Sequence, residues 1–379
     1  MTNFKTMTKI SISPCDSYQI ESVQKAVDKC LDDLGGISTF INSGDTVLIK
    51  PNILLAKEPE EAITTHPTLI EALIKAVKNV GAVPVVGDSP GGLVGNVTRH
   101  WKITGIEDVC NNLDVEILNF ESSGVYEKKI NGNHYHIAKP IFDVDFVINV
   151  PKIKTHGLTV FTCAIKNMYG AVPGLTKLNY HKQAPKPSDF SSLVVDIFEL
   201  TKPHLNVVDG IIGMDGSGPS GGNPKELGMI LASTDGVALD SYICHLLGKD
   251  PMKIPTNKIA SKRGLGNVNI NEIEVVGFQP QNVKDFNWPP NMASTMEIVP
   301  NFIAKGLMKF YWSRPAINQE NCTNCKTCVK NCPVEALTAG VNIPEFNYPE
   351  CINCLCCIEM CPEKAVHQDK SLLARLISR

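Results

Sequence analysis

Two runs of cysteine carry the most definite chemistry in this chain. Cys322, Cys325, Cys328 and Cys332 are followed by Pro333, and Cys351, Cys354, Cys357 and Cys361 by Pro362. Each run reads C-x2-C-x2-C-x3-C-P, and every cysteine of the second lies 29 residues after its counterpart in the first. Three thiolates on a tight loop can grip three irons of one cube, while the fourth, at the start of the next helical turn, points to the other cube. The spacing therefore predicts two [4Fe–4S] clusters. Cys322, Cys325, Cys328 and Cys361 would hold one; Cys351, Cys354, Cys357 and Cys332 the other. Zinc sites usually pair two C-x2-C units across a longer gap, a pattern absent here. Cys356 is a ninth cysteine with no counterpart, because Thr327 occupies the equivalent place. It reads as a non-ligand.

The remaining candidates lie upstream and are less specific. Lys50, Lys152, Lys154 and Lys166 sit in or just after short apolar runs. A lysine is rarely buried unless paired, so several at one rim would attract an acidic or phosphorylated small molecule. Asn52, Asp88, Asn167 and Asp215 accompany them as substrate-binding candidates. Asp88 (GDSPGG) and Asp215 (GMDGSGPSGG) stand in glycine-rich turns that let a ligand approach the backbone. Neither turn matches the dinucleotide fingerprint or the P-loop. His156, closing PKIKTH, is the candidate proton donor, with Lys152 and Lys154 beside it, because it titrates near neutral pH. His66, before Pro67, could be a second donor or mark a helix start. His156 with Cys163 could bind a metal, but no further ligand is evident. Asp235 and Asp240 flank a helix start and read as caps.

These residues need elements to position them. Five short apolar runs end in polar, glycine- or proline-rich residues: Thr46 to Asn52, Ala82 to Gly92, Asp145 to His156, Leu205 to Gly222 and Met229 to Asp240. Such runs suit strands buried on both faces. Between them lie helical patterns at Pro67 to Val80, Phe190 to Lys202 and Gly236 to Leu247, with another at Ile20 to Leu34 stopped by Gly35-Gly36. The alternation predicts an α/β domain with a mainly parallel sheet. Asn131-Gly132 predicts a hairpin within Tyr126 to Ile137. In such a sheet, ligands bind beyond the C-terminal strand ends, where all five polar clusters are expected.

The expected organisation is an α/β domain over 1–290, a connector and packing helix over 291–315, a small ferredoxin-like α+β module over 316–370 and a tail over 371–379. With 379 residues and a formal charge of -3, the chain has room for these units and no basic field to suggest nucleic acid. The N-terminus lacks the apolar run of a signal peptide, and no stretch is long enough for a membrane span. A soluble cytoplasmic protein is expected.

The motifs IKPN (49–52), GDSPG, VPKIKTH (150–156), AIKNMYG (164–170), DGIIGMDGSGP (209–219) and ALD (238–240) resemble the family catalogued as domain of unknown function 362, over roughly Asp45 to Val276. That family is often fused to a two-cluster ferredoxin module. The resemblance implies architecture and names no reaction. Three functions stay open. The first is an oxidoreductase passing electrons to an anionic small molecule or bound cofactor at the α/β domain. The second is an electron carrier or reductive activator docking on a redox partner protein. The third is a cluster-maturation protein. No flavin or nicotinamide signature is visible, and the sequence does not give the oligomeric state.

Overall fold

The structure, a computed structural model, describes residues 7–91, 97–289 and 312–372. The expected packing helix and the tail beyond residue 372 lie outside the described residues. Among the described residues no helix is long and apolar enough to cross a membrane.

The strands of the α/β domain are β1 (Thr8–Pro14), β2 (Thr46–Pro51), β3 (Val83–Asp88), β4 (Glu116–Asn119), β5 (Val125–Ile130), β6 (Asn133–Ala138), β7 (Phe146–Val150), β8 (Lys152–His156), β9 (Val160–Thr162), β10 (Leu205–Asp215), β11 (Asn223–Ser233) and β12 (Ile273–Gly277). Ten of them form one sheet in the order β12-β1-β11-β10-β7-β2-β3-β4, with β8 and β9 continuing beside β10. The pairs among β10, β7, β2, β3 and β4 are parallel. The α/β class and its mainly parallel core are thus as expected, and β5 and β6 form the predicted hairpin around Asn131-Gly132.

Burial on both faces explains the continuous apolar runs. On β2, Val47 and Ile49 enter the core beneath the helices Ile20–Asp33 and Pro67–Asn79. Leu48 enters the opposite core with the helix Pro187–Thr201. In Ile20–Asp33, Val23, Ala26, Val27, Cys30 and Leu31 are buried at the three- and four-residue spacing of one helical face. Gly35 and Gly36, at φ of 108° and 88°, end that helix as expected.

Three expectations need correction. Strand β11 runs antiparallel to β10, because a tight glycine-rich turn joins them directly. Its C-terminal cluster, Ser233 to Asp240, therefore sits at the opposite edge from the other four. Pro151 splits the third run into β7 and β8; proline has no N–H to donate to a ladder. The short strands β1, β4 and β12 escaped the five-run reading. In β1 only Ile10 and Ile12 alternate with polar residues.

The C-terminal module begins with β13 (Ser313–Ile317), earlier than the predicted boundary, which pairs antiparallel with β16 (Val366–Lys370). Between them β14 (Leu337–Thr338) pairs with β15 (Glu345–Phe346). The 29-residue repeat is also a repeat of backbone. Asn324 and Asn353, Lys326 and Leu355, and Glu335 and Lys364 all take left-handed φ between 52° and 62°.

Lysine placement governs the sheet interior. Lys152 is fully buried and pairs with Asp209 at 2.9 Å. Asp209 also accepts from the Tyr18 hydroxyl at 2.8 Å and the His66 backbone N–H at 2.9 Å. Breaking a buried pair from one side strands the other charge. Replacement of Asp209 by alanine is therefore expected to cost about 3–5 kcal/mol, read as a lower urea midpoint at unchanged slope. A loss below about 1 kcal/mol would mean that the pair behaves as a surface one.

Candidate functional site

The C-terminal ends of β2, β3 and β8 and the β10–β11 turn converge on one edge, and the module covers it. Between them is a cavity of about 680 Å³ of atom-free space, its mouth included. The sheet side contributes Asn52, Asp88, Lys154, His156 and Pro219; the segment 162–181 contributes Lys166, Asn167, Tyr169, Lys177 and His181; the module contributes Cys356, Glu359 and Met360.

Among the described residues the module is anchored mainly by the second cysteine run, with Lys364 just beyond it paired to Glu61 at 3.5 Å. Ser220 donates from its hydroxyl to the Glu359 carbonyl at 2.8 Å. Met360 packs with Leu55, Ile63 and Met214, and Leu178 packs on Cys354 and Cys356. Leu355 lies so close to Gly157 that a Cβ there would meet it at 2.8 Å. Gly218, in the β10–β11 turn, approaches the Thr155 carbonyl more closely than any side chain would allow.

Sequence reading expected the four lysines together at an anion-attracting rim; the structure buries Lys50, Lys152 and Lys154 and leaves Lys166 half-buried. Lys50 is fully buried, with Asp88 Oδ1 at 2.7 Å and the Asn167 carbonyl at 2.8 Å. Burial lowers its pKa and raises that of Asp88, each shift opposed by the partner's charge. Lys50, Lys152 and Asp215 do not line the cavity; Asp215 instead accepts from the Asn287 amide and backbone. Asn52, Asp88, Lys154, His156, Lys166 and Asn167 are all brought to it.

Lys154 donates to Asn52 Oδ1 at 2.6 Å and the Ile63 carbonyl at 2.7 Å. Burial, helped by the charges of Lys166 and Lys152, pulls its pKa down to about 7. Lys166 sits over the Tyr169 ring at 4.6 Å. Among the described residues it has no hydrogen-bond acceptor and no carboxylate within ion-pairing distance. His156 accepts on Nδ1 from the backbone N–H groups of Leu158 and Thr159, at 3.1 and 3.3 Å. A neutral ring must then carry its proton on Nε2, which stands 3.3 Å from Glu359 Oε1. Burial holds the His156 pKa well below its ordinary value and pushes Glu359 up to about 7.

The other candidates have structural roles. His66 caps the helix Pro67–Asn79 and stacks on Tyr18. Asp235 caps its own helix. Asp240 was also expected to be a cap there, but it accepts from the Ala164 and Ile165 N–H groups across the fold. Cys163 is buried beside Asp240, and among the described residues no group of three potential ligands could hold a single metal ion.

Each predicted cysteine set surrounds its own small cavity. Cys322, Cys325, Cys328 and Cys361 line one, and Cys332, Cys351, Cys354 and Cys357 line the other. Four thiols spread around a cavity suit a cube better than one ion. Cys356 lines both the second of these and the large cavity.

Sequence reading missed Lys177, His181, Tyr169, Ser89 and Glu359. Lys177 and His181 lie four residues apart on the helix Gly174–Gln183, whose polar sequence gave no apolar stripe. Glu359 could have been found from the repeat, where its counterpart is Lys330.

Over residues 47–245 the sequence matches the family described as a domain of unknown function (DUF362), and over 314–362 the 4Fe-4S dicluster domain. The second match spans both cysteine runs and supports the two [4Fe–4S] clusters predicted from spacing. A thylakoid-associated protein of Synechocystis sp. is 32% identical over 280 residues, which cover 74% of this chain and 86% of that protein. The lactate racemase apoprotein from Thermoanaerobacterium thermosaccharolyticum aligns with a TM-score of 0.41 at 13% identity, over 62% of this chain and 55% of that one.

Lys154 gives the site a pH signature. Its folded pKa lies below the unfolded value, so its charge disfavours folding, and a bound anion draws the proton back. Anion affinity is expected to fall as pH rises through about 7. Binding at about pH 8 should take up protons, measurable by calorimetry in buffers of different ionisation heat. Affinity that does not change across that range would remove Lys154 from the site.

Proposed function

This chain belongs to the DUF362 family, here joined to an iron–sulfur dicluster module, and we propose that it is a reductase acting on a small anion held in the cavity between the two. One observation carries the reading: Cys356 lines both the large cavity and the space enclosed by Cys332, Cys351, Cys354 and Cys357. A molecule in the cavity would thus be separated from that cysteine set by a single side chain.

The residues divide the work. Lys166 supplies a cation with no carboxylate in ion-pairing contact among the described residues, and Lys154 a spare N–H, so both attract and orient the anion. Lys154, with its pKa near 7, is placed to give a proton to the reduced product. His156, held neutral by burial with Nδ1 engaged by two backbone N–H groups, is not the proton donor expected from sequence and instead directs Nε2–H at Glu359. Asp88, held by Lys50 and the Ile53 N–H, fixes the floor. Leu355, Met360 and Leu178 exclude water from the module side.

Each cluster supplies one electron when bound, so the pair matches a reduction of the form S + 2e⁻ + 2H⁺ → SH₂, with a redox partner protein restoring the electrons. Cys322, Cys325, Cys328 and Cys361 are proposed to hold the outer cluster, and Cys351, Cys354, Cys357 and Cys332 the inner one. Cys325 is exposed while Cys354 and Cys357 are buried, which gives the partner a side to approach. The same exposure favours a second reading, in which the chain only passes electrons to another protein.

Two outcomes are expected. Cys356→Ala should retain about eight irons, whereas Cys354→Ala should lose about half of them, by iron analysis of anaerobic protein. In stopped-flow measurements, chemically reduced protein should be reoxidised by a small anionic acceptor. Lys166→Gln should slow this by about tenfold or more with the iron spectrum intact. Reoxidation that occurs only with a partner protein, unaffected by Lys166→Gln, would replace the reductase reading with the carrier one.

A further inference from the structure

The hydrogen-bonding state of the cavity wall narrows the ligand beyond "anion". All three Lys177 N–H bonds are spent, on the Ser89 carbonyl at 2.5 Å, its hydroxyl at 2.7 Å and the Pro90 carbonyl at 2.8 Å. Lys154 has spent two of its three. Among the described residues the free donors of the wall are the Lys166 ammonium, one N–H of Lys154, the Asn52 side-chain amide and the Thr162 hydroxyl. That supply suits the two oxygens of one carboxylate. Asp88 and Glu359 share that wall, which therefore suits a singly charged carboxylate better than a doubly charged phosphate, and no arginine lines the cavity.

The same wall holds acceptors left over. Asn167 directs Nδ2 to Asn149 Oδ1 at 2.7 Å and the Pro51 carbonyl at 3.3 Å. Asn149 is itself fixed by donating to the Ala164 carbonyl and Asn206 Oδ1. That chain of amides pins Asn167 Oδ1 as an acceptor, and it is buried with no hydrogen-bond partner. Thr162 Oγ1 is likewise buried without one, while Glu359 Oε1 faces only the Nε2–H of His156. Buried polar atoms are seldom left unpaired without a reason. A ligand bringing its own O–H or N–H would complete them. The lysines make the cavity unfavourable to an ammonium, and hydroxyl is the smallest uncharged donor that would serve.

Resting on the reading of the cavity as the substrate site, we propose that its ligand is a small carboxylate bearing at least one hydroxyl group. The carboxylate lies on Lys166 and Lys154, and the hydroxyl donates towards Asn167, with Thr162 and Glu359 beside it.

The test is calorimetric titration of the anaerobic, cluster-loaded full chain with acetate, glycolate, glycerate, glycine and inorganic phosphate. Glycolate should bind about tenfold or more tightly than acetate, because it pairs an acceptor that acetate leaves bare. Glycine and phosphate should bind more weakly than glycolate. Lys166→Gln should abolish binding of both carboxylates. Asn167→Asp, which keeps an acceptor but adds charge, and Thr162→Val, which leaves the amide chain untouched, should each shrink the advantage of glycolate over acetate. Equal affinity for acetate and glycolate, or phosphate or glycine as the tightest ligand, would overturn the proposal; reoxidation by some other anion would still uphold the reductase reading. Hydroxyl-selective binding with no reoxidation by any anionic acceptor would uphold the proposal and overturn that reading instead.

Discussion

Burying lysine ammonium groups at the ends of the parallel strands is the constraint on which this architecture turns. Lys50, Lys152 and Lys154 are at most 1% exposed. Taking a charge out of water costs several kcal/mol unless a partner compensates. The fold compensates unevenly. Lys152 receives Asp209, Lys50 receives Asp88, Lys177 receives three oxygens and Lys154 two. Among the described residues Lys166 touches only aromatic faces. The positive charge without a directly paired carboxylate, on Lys154, Lys166 and Lys177, therefore gathers along the cavity that the module covers.

That gradation separates scaffold from site. The Lys152–Asp209–Tyr18 group ties β8, β10 and the N-terminal segment together, away from the cavity. The Lys50–Asp88 pair lies against Gly170, where a Cβ would meet Asp88 Oδ1 at 2.2 Å. Glycine is required there for the segment carrying Lys166 and Asn167 to close over the pair. The same residue type thus holds the sheet together in one position and awaits a ligand in another.

Much of this was legible in sequence, for identifiable reasons. The cluster cysteines were readable because ligand spacing is rigid. The central strands were readable because burial on both faces leaves unbroken apolar runs. The direction of β11 was not, since a strand's apolar run carries no sign of its orientation. Which lysines were paired was equally hidden, because their partners are distant in sequence: Asp88 lies 38 residues from Lys50, and Asp209 57 from Lys152. The docking face was written in the repeat but went unread. Where the first run has Lys326, Thr327, Lys330 and Asn331, the second has Leu355, Cys356, Glu359 and Met360. Those departures mark the copy that packs on the α/β domain.

The central claim is that a small anion lies against the cysteine set of the second run, on Lys166. Pulsed electron–nuclear double resonance of the reduced protein equilibrated with ¹³C-labelled glycolate measures that proximity. A ¹³C coupling to the reduced cluster, present in the wild-type chain and lost in Lys166→Gln, is the predicted result. Glycolate that binds with no ¹³C coupling, or a coupling that survives removal of Lys166, would contradict the account.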